Sequence, residues 1–181
     1  MHIIFIGLPG SGKGVQTQRL KEHGYTHLSA GDILREFIKS NTPTALHLQT
    51  VMNKGKLISD ELINQIVFDF CSNHTDHAFL FDGFPRTLEQ ANVLEDSPYP
   101  ISNVFYLDIS PETARERMIT RNNEQGPRAD TDTEEKISLR IKEFFASTKP
   151  LIDYYEQQGL LRRIDGEQSK DDVAKQIASH L

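Results

Sequence analysis

The chain carries a single cysteine, Cys71. That excludes an internal disulfide and any zinc site built on several cysteines. A lone cysteine inside a helical stretch reads as a small core residue. No apolar run approaches the roughly 20 residues that a bilayer-spanning helix needs. The apolar run near the N-terminus has no basic segment before it and no small-residue cleavage site after it, so it is not read as a secretory signal. Positive charge is scarce too. Twenty Lys and Arg against 26 Asp and Glu leave a net charge of −6, which argues against a nucleic-acid duplex as partner. Internal repeats and low-complexity tracts are absent. These absences together predict a cytoplasmic chain, monomeric by default, with no membrane partner.

What is present fits one folded domain. The 181 residues are enough to bury a full hydrophobic core. Short apolar runs alternate with helix-like stretches. "HIIFI" (2–6), "YTHL" (25–28), "AFLFD" (78–82), "VFYLDI" (104–109) and "LLRRID" (160–165) read as strands. Near-continuous apolar runs of this length suit parallel strands buried on both faces. Helical patterns cover Gly12 to about His23, then 31–40, 44–53, a stretch capped by Ser59 and running to about Asn73, and Pro111–Arg121. A longer one covers 133–157 with a kink expected at Pro150, and Ser169 caps the last. The alternation predicts an α/β fold, a parallel sheet with helices on both faces. Ligands of such sheets sit at the carboxyl ends of the strands.

The unusual residues fall at those ends. "HIIFI" runs into Gly7-Leu8-Pro9-Gly10-Ser11-Gly12-Lys13-Gly14. This is the G-x-x-x-x-G-K spacing of a phosphate loop between a strand and a helix. Glycines let the backbone wrap an anion closely, and the helix N-terminus then points N–H groups at it. Lys13 adds a full positive charge. "AFLFD" ends in Asp82, an acid placed to reach Mg²⁺ directly or through water. Arg35, Arg86, Arg117, Arg121, Arg128 and Arg140 complete the pattern, with Arg117 and Arg121 on one helix face. Arginine pairs bidentately with phosphate and keeps its charge.

The stretches "GLPGSGKG", "LSAGDILRE", "GKLISDELI", "FLFDGFPRTLEQA" and "RERMITR…PRADTDTEEKISLRI" together resemble an adenylate kinase, in the right order over essentially the whole chain. "DGFPR" beside a phosphate loop is specific to nucleoside monophosphate kinases. The resemblance implies reversible transfer of the γ-phosphoryl group of Mg²⁺-ATP to AMP, giving two ADP, with no structural zinc. It implies a five-stranded parallel sheet of the P-loop NTPase type in one domain over 1–181. A helical AMP-binding segment would cover 29–59 and a short lid 121–131. Carried over by position, Gly10, Ser11, Gly12, Lys13, Gly14 and Val15 line the ATP phosphates, and Arg117 covers the ATP base. Ala30, Arg35, Gly83, Arg86 and Gln90 belong to the AMP site. The Lys56-Leu57-Ile58 backbone lines its base pocket. Arg121, Arg128 and Arg140 close on the transferring group alongside Lys13 and Arg86, and Asp82 anchors Mg²⁺ through water.

The chain departs from the family pattern at four places. Val15 stands where the family carries threonine, so no hydroxyl is offered there. Thr17 lies two residues further and points elsewhere on the helix. Ala30 replaces another usual threonine and resembles UMP/CMP kinases. From Arg121 to Arg128 only "NNEQGP" intervenes, too short for an inserted lid domain. Asp130 and Asp132 are split by Thr131 where the family has adjacent acids, and Asp130 is the expected counterpart. Two alternatives stay open: a UMP/CMP or broad monophosphate kinase, and a nucleotide sensor without turnover. Gln90 outweighs Ala30, so AMP is the expected acceptor.

Overall fold

The computed structural model describes residues 1–40, 42–53, 58–74, 78–125 and 133–181. Five strands form one parallel sheet: β1 (His2–Gly7), β2 (Tyr25–Ser29), β3 (Ala78–Asp82), β4 (Ile101–Asp108) and β5 (Leu161–Asp165). Their spatial order is β2-β3-β1-β4-β5. The chain reverses direction across the sheet beside β1, so the crevice of such a sheet opens at the carboxyl end of β1.

Alternation along the strands sorts the core into two layers. Ile4 and Ile6 of β1 join Leu28, Phe79, Phe81, Val104 and Tyr106 in the larger cluster. Ile3 and Phe5 point the other way, with Leu80, Phe105, Leu107 and Ile164. A period of two is what a pleated strand imposes. Helices α1 (Lys13–Lys21) and α9 (Lys170–Ala178) supply Leu20, Val173 and Ile177 to the smaller layer. The larger layer packs on α2 (Ala30–Ile38), α3 (Pro43–Asn53), α4 (Asp60–Ser72), α5 (Leu88–Glu95), α6 (Pro111–Gln125), α7 (Glu134–Glu143) and α8 (Lys149–Gln157). Cys71 is fully buried in that layer, as expected. Among the described residues, no helix is long and apolar enough to cross a membrane.

Two elements differ from the sequence expectation. Helix α5 was not anticipated. Its local signal is Thr87-x-x-Gln90, a capping-box pattern, and the Thr87 side chain does accept from the Gln90 amide N–H at 3.2 Å. The expected long helix over 133–157 is interrupted before Pro150 rather than bent at it. Phe144–Thr148 form a π-helical turn between α7 and α8. Proline has no N–H to give the carbonyl four residues back and its ring crowds that carbonyl. A wider turn upstream absorbs the misfit.

The β1–α1 loop is pinned from both sides. Gly12 is the N-cap of α1 at φ +94°. Gly10 stands at φ +87°, and a Cβ there would lie 2.8 Å from the carbonyl oxygen of Ala114 in α6. Left-handed backbone and lack of space both demand glycine at that position. Gly10→Ala is therefore expected to lower unfolding free energy by about 1–3 kcal/mol. Urea denaturation checks this, and an unchanged midpoint would refute it.

Candidate active site

The site assembles where β1, β2 and β3 end. The loop after β1 delivers Lys13 at the first turn of α1. Its Nζ donates to the carbonyls of Gly7 at 2.7 Å and Leu8 at 3.0 Å, and lies 3.4 Å from Ser11 Oγ. Ser11 is itself buried. The ammonium thus folds back onto the loop it belongs to, filling the space beside the backbone with its own charge. Burial pulls the Lys13 pKa down to about 8; Asp82 opposes the shift, while Arg86 and Arg140 add to it.

Asp82, the last residue of β3, is the acid in this group of cations. Burial pushes its pKa up, but a hydrogen bond from His27 and the charges of Lys13, His27 and Arg86 hold it below the usual carboxylate value. The His27 ring nitrogen Nε2 sits 3.4 Å from Asp82 Oδ2. His27 and Ser29 enter this edge because β2 pairs with β3 in register, Ser29 opposite Asp82. A persistent carboxylate is the ligand a hard cation prefers. Among the described residues no group of three or more His, Cys, Asp and Glu is placed to hold a metal. One carboxylate beside a phosphate loop fits Mg²⁺ that arrives on a nucleotide and keeps its waters and phosphate oxygens as ligands.

Gly83-Phe84-Pro85-Arg86 follows β3. Arg86 Nε donates to Gly83 O at 2.9 Å. Its guanidinium lies in electrostatic reach of Asp82 and Arg35. Arg35, in the last turn of α2, pairs with Asp32 one turn back. Two guanidiniums held near each other repel unless an anion lies between them, and a phosphate monoester suits that place. Arg140, half-buried on α7, contributes its field to Lys13. Arg117 on α6 donates to Gly166 O at 2.9 Å in the turn after β5. Arg121 follows one turn further along α6 and is half-buried.

Ala30 opens α2 and is buried, directly after Ser29, whose side chain accepts from the Asp32 amide at 3.3 Å. Gln90 in α5 is 4% exposed. Its Oε1 accepts from the Arg86 backbone N–H at 2.7 Å and its Nε2 donates to Asp60 Oδ1 at 2.6 Å. The sequence offered no sign of the Asp60 contact. Asp60 stands in the first turn of α4, where any acid suits the helix dipole, and its partner lies thirty residues away in the chain. Nor did the sequence link His27 to Asp82. Ile58 is half-buried against the larger core layer. Lys56, Leu57 and Arg128, with Asp130 and Asp132, lie outside the described residues.

Val15 stands on the first turn of α1 and is 37% exposed. Thr17 is fully buried and its hydroxyl is spent on Gly14 O at 3.2 Å. Thr17 therefore does not replace the hydroxyl missing at Val15.

A parallel five-stranded sheet with a glycine loop and lysine after β1, an acid ending β3 and gathered arginines defines a nucleotide-binding α/β protein of the phosphate-loop class. Residues 5–160 match the family model for adenylate kinase. Pig adenylate kinase isoenzyme 1 is 36% identical over 182 residues, covering 99% of this chain and 93% of that protein. The adenylate kinase of Prochlorococcus marinus strain MIT 9303 is 40% identical over 184 residues, covering 99% of this chain and 97% of its own. The chain belongs to the adenylate kinase family.

Three outcomes are expected from this geometry. Phosphate binding favours the charged ammonium, so a nucleotide-free Lys13 titrating near pH 8 makes ATP affinity fall as pH rises above that value. The same shift has the opposite sign for the empty fold: between about pH 8 and the ordinary lysine value near 10.5 the unfolded chain holds more protons, so stability rises with pH. Calorimetric titration with a non-hydrolysable ATP analogue, from neutral to about pH 9.5, checks the first statement; a flat profile would refute it. The third outcome concerns Val15→Thr. The side chains are nearly isosteric, and the exposed position buries no hydroxyl. One added charge-assisted bond contributes at most about 1.5–3 kcal/mol, so kcat/KM for Mg²⁺-ATP should be unchanged or higher. A clear loss would show that Val15 is needed for packing.

Proposed function

We propose that this chain catalyses reversible transfer of the γ-phosphoryl group from Mg²⁺-ATP to AMP, giving two ADP. The observation that carries the reading is the grouping of Lys13 and Arg86 about one carboxylate, Asp82, with Arg140 acting on Lys13 and Arg35 on Arg86, in a protein of net charge −6. A polyanion and a second phosphate are the ligands such a pocket neutralises.

The steps follow from the roles proposed for these residues. N–H groups of the Gly10–Gly14 loop and the Lys13 ammonium hold the ATP phosphates once Lys13 leaves its own carbonyls. Arg35 and Arg86 hold the AMP phosphate so that one of its oxygens faces the γ-phosphorus in line. The new P–O bond forms as the bond to the β-bridging oxygen breaks, and ADP leaves on each side. Arg121, Arg128 and Arg140 offset charge on the equatorial oxygens, which is worth most in a closed, water-poor site. Mg²⁺ carried by ATP, held through water by Asp82, would neutralise the β- and γ-phosphates. Arg117 packs on the ATP base, and Gln90 reads the AMP base beside Ala30, Gly83 and the Lys56–Ile58 backbone. The AMP-binding segment spans 29–59 and the short lid 121–131. The protein acts as a cytoplasmic monomer with no nucleic-acid or membrane partner.

Ala30 favours a second reading, a broader acceptor range extending to CMP and UMP. A coupled assay with ATP and each of AMP, CMP, UMP and GMP separates the readings. AMP should show the highest kcat/KM, with CMP or UMP weak. A pyrimidine preference would install the second reading, and no turnover with any acceptor would leave only a sensor. Lys13→Ala should lose on the order of 10²-fold or more in kcat while its melting curve stays cooperative.

A further inference from the structure

The Gln90 amide is wedged between two partners of opposite and fixed polarity. The Arg86 backbone N–H only donates, and it meets Oε1 at 2.7 Å. The Asp60 carboxylate accepts, and it meets Nε2 at 2.6 Å. A primary amide has two acceptor sites on oxygen and two N–H groups on nitrogen. Each end therefore keeps one valence after these bonds are made. Turning the amide over would set oxygen against carboxylate and N–H against N–H. At 4% exposure little water is at hand to relieve either clash, and buried polar groups without partners are costly.

We propose that Asp60 is a positioning residue for base recognition: with the Arg86 N–H it locks the Gln90 amide so that the site reads one polarity of base edge. The proposal rests on the reading that Gln90 faces the base of the monophosphate acceptor. The locked amide offers a free lone pair at Oε1 and a free N–H at Nε2. Its complement is an edge with an exocyclic amine beside an unprotonated ring nitrogen. Adenine and cytosine present that edge. Hypoxanthine, guanine and uracil present the reverse, a carbonyl beside a ring N–H. The device therefore sorts acceptors by amine against carbonyl rather than by purine against pyrimidine. Asp60 also begins α4, so it ties this edge to the helix that follows the proposed AMP-binding segment.

The test compares AMP with IMP, which have nearly the same shape and opposite edge polarity. Steady-state kcat/KM and calorimetric Kd are measured for both acceptors, with KM for ATP as a control. Wild type should prefer AMP by at least about 10²-fold, as expected when a buried group loses its partner. Asp60→Ala removes one of the two locks and should shrink the AMP:IMP ratio at least about tenfold. Asp60→Asn keeps the size and a hydrogen bond to Gln90, but its amide can turn to donate as well as accept, so it should shrink the ratio as Asp60→Ala does. A purely structural role would lower both acceptors alike and leave the ratio where it was. The inference is overturned if wild type uses IMP as well as AMP, or if Asp60→Ala stays within about twofold of the wild-type ratio. A ratio that collapses in Asp60→Ala yet stays at the wild-type value in Asp60→Asn overturns it too, because a partner of unfixed polarity would then serve as well. Should wild type phosphorylate no monophosphate at all, the functional reading falls and takes the inference with it. That result is distinct from a protein that uses AMP with an unmoved ratio.

Discussion

A lysine ammonium held against the carbonyls of its own loop is the contact on which the site depends. Lys13 donates to Gly7 O and Leu8 O, so its charge already lies at the carboxyl end of β1 before any nucleotide arrives. The loop that holds it is set by the left-handed backbone of Gly10 and Gly12 and by the approach of Ala114 O to Gly10. That approach places α6 against the loop, and α6 carries Arg117 and Arg121. The buried charge has a cost: it lowers the lysine pKa and depends on Asp82 for compensation. Asp82 in turn stays ionised because His27, Lys13 and Arg86 surround it. Each charge in the pocket is tolerable only with the others present.

What could be read from the sequence was what is encoded locally. The apolar run before a glycine loop announced β1 and the phosphate site, because strand, loop and helix are contiguous. "AFLFD" announced β3 and its terminal acid for the same reason. All five strands fall within one or two residues of their expected bounds, except that β4 begins three residues early, at Ile101, and ends one early, at Asp108. Ile101, Ser102 and Asn103 are only half-buried, and a strand end without a buried apolar run leaves little pattern to read. Helix α5 was missed because eight residues after a proline-containing loop carry too few periods to stand out. The break in the helix expected over 133–157 falls upstream of Pro150 because the proline marks the cause of the break and not where the backbone yields.

Pairings across the chain were not legible. His27 meets Asp82 only because β2 lies beside β3, and strand order is a tertiary fact. Asp60 meets Gln90 only because α4 packs beside α5. Each residue had an ordinary local explanation: a strand histidine, an acid in a helix's first turn. Nothing in residue type or spacing singled out the more demanding role. Likewise, the sequence showed that Val15 lacks a hydroxyl. Only the fold shows Val15 to be exposed and the Thr17 hydroxyl engaged at Gly14 O.

In the proposed function the two ends of a monophosphate are met by different physics. Arg35 and Arg86 meet its phosphate with charge, which is strong, tolerant of geometry and blind to the base. Gln90, a buried neutral amide whose direction is set by its neighbours, is the group proposed to meet the base. A neutral group in that position contributes modest affinity, yet it rejects a wrong edge strongly because the mismatch strands buried polar atoms. Discrimination therefore comes from the buried amide even though affinity comes from the arginines. Ala30 belongs to the same logic. Its methyl group neither donates nor accepts, so the lost hydroxyl relaxes exclusion without giving a pyrimidine any new partner. On that proposal the direction of the Gln90 amide, and not the residue at position 30, decides which acceptor is used.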